Sequence, residues 1–96
     1  MQLSKFQKNP LTIIYGLHNK CLKLLTITLQ NQKHDNTLLI IDRNMKDLDY
    51  NQILDCMKKH NKTNSIFITE YLPIIHNLPN CEKKNVKLYT GQFLFS

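Results

Sequence analysis

Two short apolar runs in this chain end abruptly. Leu11-Thr12-Ile13-Ile14-Tyr15 stops at Gly16, one of only two glycines, and Leu38-Leu39-Ile40-Ile41 stops at Asp42. Strands that break off at a Gly or an Asp are how open α/β sheets present loops at their carboxyl edges, where such folds bind ligands. In the first run Thr, Ile and Tyr favour extended backbone, and Pro10 blocks helix extension from the left. The second run has no polar alternation, so both of its faces should be covered, which predicts a central strand of a parallel sheet over Thr37 to Asp42.

The segments between these runs read as helices and turns. Gly16 to Lys20 is a turn. Cys21 to Gln30 admits two readings: as a helix, Leu22, Leu25 and Leu29 share a face widened by Cys21, Leu24 and Ile27; as a strand, Leu25, Ile27 and Leu29 alternate with Thr26 and Thr28. The apolar arc is wider than one face of period two, which favours the helix. Asn31 to Asn36 is a polar loop. Asp47 and Asp49 lead into a helix from Tyr50 to Lys59, with Tyr50, Ile53, Leu54 and Met57 at three and four spacing and Lys58, Lys59 and His60 at the end that suits the helix dipole. Ser65 to Thr69 is a further strand, Pro73-Ile74-Ile75 opens a short helix that Pro79 stops, and Asn85 to Leu94 is a last strand around Gly91. The order β-α-β-α-β-α-β predicts an α/β fold: a mostly parallel open sheet with flanking helices, RecA-like or Rossmann-like in cast.

Ninety-six residues leave room for one domain, residues 1–96, with 1–10 as an N-terminal arm. A core of this size is marginal, so association with a second copy or another protein is expected. The formal charge of +6 favours polyanions. Of the 13 basic residues only Arg43 is an arginine, and bidentate reading of guanine edges is mostly an arginine task, so non-specific contact with single-stranded DNA is the expectation rather than sequence readout. An AT-rich genome writes a similar lysine-rich surface without selection for binding. Cys21, Cys56 and Cys81 are widely spaced and form no Cys-x-x-Cys pair, which points away from a disulfide framework or zinc site and toward a reducing compartment. No segment approaches the ~20 apolar residues of a membrane span, and the start has no signal-peptide core. A soluble, intracellular protein, cytoplasmic or nuclear, with no membrane partner is expected.

Leu-Thr-Ile-Ile-Tyr-Gly (11–16), Thr-Leu-Leu-Ile-Ile-Asp-Arg-Asn (37–44) and Asn-Ser-Ile-Phe-Ile-Thr-Glu-Tyr (64–71) resemble the first three strands of the RecA-like recombinase ATPase core. The resemblance spans about two-thirds of the chain. It implies a phosphate loop after Gly16, where the family pattern is Gly-x4-Gly-Lys-Ser/Thr, with glycines that let backbone amides wrap the phosphates, a lysine that neutralises them and a hydroxyl that holds magnesium. Here the residues are Gly16-Leu17-His18-Asn19-Lys20-Cys21-Leu22-Lys23: the second Gly is absent, Lys20 and Lys23 fall at other offsets, and no Ser or Thr follows either. Asn44 stands where the family places its catalytic Glu, and an amide is no general base. The chain thus resembles the degenerate recombinase paralogues that act as adaptors in homologous recombination, such as Shu-complex subunits, and this implies a non-enzyme without cofactor that works through a protein partner. A second resemblance is to response-regulator receiver domains. Asp42-Arg43-Asn44-Met45-Lys46-Asp47 is similar to their phosphorylatable Asp and following loop, and Ile68-Thr69 to a later strand that ends in Thr, although the Pro and Gly of the loop and the acidic pair for magnesium are missing. A small accessory inhibitor of viral type is a third reading.

The candidate residues follow from these readings. Gly16, His18, Lys20 and Lys23 form the vestigial phosphate loop. Asp42 is the strand-end acid, read either as a phosphate-site or metal carboxylate or, more commonly for such a position, as a cap of the next turn. Lys58, Lys59 and Lys62, with Lys83, Lys84 and Lys87, are candidates for DNA contact, against the alternative of a solvated rim. Phe93, Leu94 and Phe95 are candidates for a partner interface through strand addition or for closure of the core. His34, His60 and His76 have no partner spacing and default to the surface, and Cys56 reads as core packing.

Overall fold

The computed structural model describes residues 10–30 and 36–91, with the side chains of Asn19, Leu29, Gln30, Glu82 and Lys83 outside that description. The elements run β1 (Leu11–Tyr15), α1 (Asn19–Gln30), β2 (Thr37–Ile41), β3 (Asp47–Asp49), α2 (Tyr50–Lys59), β4 (Asn64–Ile68), β5 (Ile74–His76), a 3-10 segment (Asn80–Asn85) and β6 (Val86–Thr90). Four strands form one sheet in the order β2-β4-β1-β6, and each neighbouring pair is parallel. The fold is α/β with an open parallel sheet between two helices, as the alternating apolar runs predict.

The parallel order follows from where each crossover lies. From β1 the chain crosses behind β4 to β2 through α1; from β2 it returns one place to β4 through α2; from β4 it passes β1 to reach β6. Right-handed crossovers that step in opposite directions lie on opposite faces. Accordingly Ile14, Ile66 and Ile68 pack with Leu22 and Leu25 of α1 on one face, while Leu11, Ile13 and Phe67 pack with Tyr50, Ile53 and Met57 of α2 on the other. Each fully buried Leu or Ile contributes ~1.5–3 kcal/mol. The two inner strands hold most of this: every residue of β4 and four of the five in β1 are buried.

Several expectations are corrected. The all-apolar β2 lies at the edge, not the centre, of the sheet. Its two faces are covered as foreseen, Leu38 and Ile40 against the α2-side core and Leu39 and Ile41 against the α1 side, but coverage above and below says nothing about neighbours in the plane. Residues 74–76 form strand β5 rather than a short helix; β5 pairs in parallel with β3, which the helical reading of the acidic stretch passed over. The connection from β4 to β6 therefore carries one strand of a small second sheet and a 3-10 segment in place of a third α-helix. The last strand ends at Thr90, before Gly91, in contrast to the expected 85–94 span. Residues 21–30 are helical, but Leu24 and Ile27 point outward, so the buried stripe of α1 is narrower than expected. The tail residues Phe93, Leu94 and Phe95, the arm before Pro10 and His34 lie outside the described residues.

Candidate functional site

At the carboxyl edge of the sheet the residues after β1, β2 and β4 come together. Gly16 takes a φ of 85°, a conformation that favours glycine, and its N–H donates to the Glu70 carbonyl at 2.9 Å. Only Leu17 and His18 separate it from α1. Leu17 is buried in the α1-side core, and the His18 carbonyl already accepts the Leu22 N–H at 2.9 Å as the helix begins. A phosphate cradle needs a run of unengaged amides with room for an anion; here the turn is three residues long, its first N–H is engaged, and its central side chain plugs the core. Lys20 and Lys23 lie on exposed positions of α1 beyond it. The structure thus brings Gly16 and His18 to one edge and leaves the two lysines along a helix surface.

Asp42 follows β2, with β4 between that strand and β1, so it stands two strand spacings, about 10 Å, from the Gly16 turn. Its N–H donates to the Ile68 carbonyl at 3.0 Å and its Oδ1 accepts the Asn44 N–H at 3.0 Å, the turn-capping role that strand-end aspartates commonly take. Arg43 follows, its Nε donating to Glu70 Oε2 at 2.7 Å. That hydrogen bond, with the charge on Glu70, raises an arginine pKa already far above neutrality, so the pair stays charged on the arginine side throughout the accessible pH range. Thr69, fully buried, donates its hydroxyl to the Tyr71 carbonyl. Among the described residues no group of three or more His, Cys, Asp or Glu is placed to hold a metal ion.

Next to this turn lies an apolar depression that sequence patterning did not single out. Met45, Tyr71, Leu72 and Ile74, with Asn44 and Lys46, line a pocket of about 320 Å³. Tyr71 is 63 % and Ile74 64 % exposed, far more than chain packing requires of residues of this size. The run Tyr71-Leu72-Pro73-Ile74-Ile75 was the available signal, but it has no periodicity from which exposure could be read.

The amino edge is different in character. α2 runs back from the carboxyl edge, so Lys58 and Lys59 in its last turn, and Lys62 in the following turn, arrive at the start of β4. The 3-10 segment places Lys84 just ahead of β6, whose second residue is Lys87. Leu11 is in register with both Ser65 and Val86, so β4 and β6 begin level with each other on either side of β1, about 10 Å apart. Two lysine clusters more than twenty residues apart in sequence therefore lie toward the same end of the sheet, with Lys87 on the α1 face, since its neighbour Val86 packs in the α2-side core and Tyr89 in the α1-side core. Lys58, Lys59, Lys84 and Lys87 are exposed and Lys62 is half-buried; the side chain of Lys83 lies outside the description.

On the small sheet, His76 Nε2 and Asp47 Oδ1 are 2.7 Å apart, and Asn77 donates to Asp49 Oδ2 at 2.7 Å. Cys56, expected in the core, is only half-buried and lines a groove between α2 and β2.

Comparison of the chain with protein-family models, with curated proteins and with solved structures gave no match.

Proposed function

We propose that this chain is a non-catalytic interaction module that contacts single-stranded nucleic acid through the amino edge of its sheet and a protein partner elsewhere. The observation that carries the reading is the placement of Lys58, Lys59, Lys62 and Lys84 toward that edge, with Lys87 at the same end on the α1 face, in a chain of formal charge +6. Lysines held on a helix end, a turn and a strand start present point charges to a phosphate backbone without reading its sequence. The exposed Tyr71, Leu72 and Ile74 at the opposite edge support the protein-partner half, since aromatic and aliphatic anchors of this kind dominate interfaces. The short Gly16 turn plugged by Leu17 supports the non-catalytic half. An adaptor role in DNA recombination or repair, in the cytoplasm or nucleus, follows from the resemblance carried by residues 11–16, 37–44 and 64–71.

Fluorescence anisotropy of a labelled single-stranded oligonucleotide, titrated with the chain at several salt concentrations, tests this. With three to five phosphates neutralised, log K should fall against log[salt] with a slope of roughly −2 to −3.5, and Lys58→Gln with Lys59→Gln should make it shallower by roughly 1.4. Exchange of Lys20 and Lys23 for Gln should leave the slope unchanged. A slope near zero, equal effects of both pairs, or ATP turnover by the purified chain would defeat the proposal.

A further inference from the structure

β2 is an open edge: β4 pairs with one side of it, and no strand lies on the other among the described residues. Sheet edges are normally guarded by Lys, Pro or inward-pointing charges, because unpaired N–H and C=O groups recruit another strand. Leu38-Leu39-Ile40-Ile41 contains no Lys, no Pro and no charge. Beside this edge, between it and α2, runs a groove of about 200 Å³ with Leu38 and Ile40 on its floor. Its two ends differ in charge. Asp47 and Asp49 line the carboxyl end. Gln52 and Cys56 line its α2 wall, and Lys59 continues that stripe at the i, i+4, i+7 spacing toward the amino end, next to Lys58.

We propose that β2 is a self-association edge: two copies pair antiparallel through β2 about a two-fold axis perpendicular to the sheet, with Leu39 opposite Leu39 of the second copy. Residues directly opposite in an antiparallel pair point to the same face. That register sets Leu38 against Ile40 of the second copy on the α2 side and so extends the apolar floor of each groove. The same axis turns the acidic end of one groove toward the basic end of the other, Asp47 and Asp49 facing Lys59. A parallel alignment would set like charges against each other. The edge thus matches its own rotated copy in hydrogen bonding, apolar alternation and charge. The opposite edge strand β6 carries Lys87, and joining β2 to β6 of another copy would propagate without closing.

Sedimentation of the chain over a concentration series should show a reversible species of twice 11.4 kDa. Lys59→Glu and Asp47→Lys, each at an exposed position and present twice across the axis, should each weaken association by roughly ten-fold, and the double variant should recover most of that loss. Leu39→Lys should abolish the dimer, with circular dichroism as the check on folding. Because the charge variants do not disturb the core, they decide the matter even if Leu39→Lys unfolds. A monomer at every concentration, a dimer indifferent to both single charge reversals, or masses that grow without limit would overturn the proposal. None of these outcomes depends on whether the amino edge binds nucleic acid.

Discussion

The two glycines are required for different physical reasons. A Cβ on Gly91 would stand 2.5 Å from Leu17 Cδ2 and 2.6 Å from its Cγ, and Leu17 is only 4 % exposed. Since the neighbour is a buried side chain held by the α1-side core, Gly91→Ala must displace it and should cost about 1–3 kcal/mol. Gly16 has nothing within 4 Å of its would-be Cβ, but its φ of +85° is one that a side chain resists. Gly16→Ala should therefore cost about 1 kcal/mol through backbone conformation alone. Urea unfolding of both variants checks this: no loss at Gly91 would mean that Leu17 is not fixed beneath it. Gly16 was legible as a strand end from the apolar run before it. The role of Gly91 was not, because its contact is with a residue 74 positions away in the chain.

The two helices are supported very differently. α2 has Asp49 as its N-cap, accepting from the Asn51 and Gln52 N–H groups, and Lys58 and Lys59 in its last turn, all of which complement its ends. α1 has no acid in its first turn and no base in its last, and Thr26 and Thr28 bond back to the carbonyls of Leu22 and Leu24, a habit that bends or weakens helices. It is held mainly by Leu22 and Leu25 against the sheet. Amide hydrogen exchange should accordingly be at least about ten-fold faster in α1 than in the middle of α2. Equal protection would show that packing outweighs the missing caps. The bounds of α2 were legible from its spacing and its charged ends. β3 and β5 were not, since three residues are too few for alternation to show, and each strand exists only because the other lies beside it.

For the molecule as a whole, charge is the organising asymmetry: lysines crowd the amino edge, while the carboxyl edge carries the Arg43–Glu70 pair and the exposed Tyr71, Leu72 and Ile74. Repulsion within the lysine-rich edge should be relieved by screening, so the melting temperature should rise by a few degrees between low and moderate salt. A single-stranded oligonucleotide at constant ionic strength should raise it further, and preferentially for the parent chain over the Lys58→Gln, Lys59→Gln variant. Thermal melts in the two series separate general screening from site binding. A melting temperature indifferent to both would show that the clustered charge is neither a liability nor a site.

Composition and hydrophobic spacing along the chain were enough to establish an α/β fold, the positions of β1, β2 and β4, and the span and charged ends of α2. Those features depend on residues a few positions apart, whose side chains share a face or reach a neighbouring amide. Which strand lies inside the sheet, which apolar strand stands at its edge among the described residues, and how two distant lysine clusters come to share one end depended on parallel pairing between segments far apart in the chain. A run such as Leu38 to Ile41 records that something covers it above and below, and carries no mark of how many strands stand beside it.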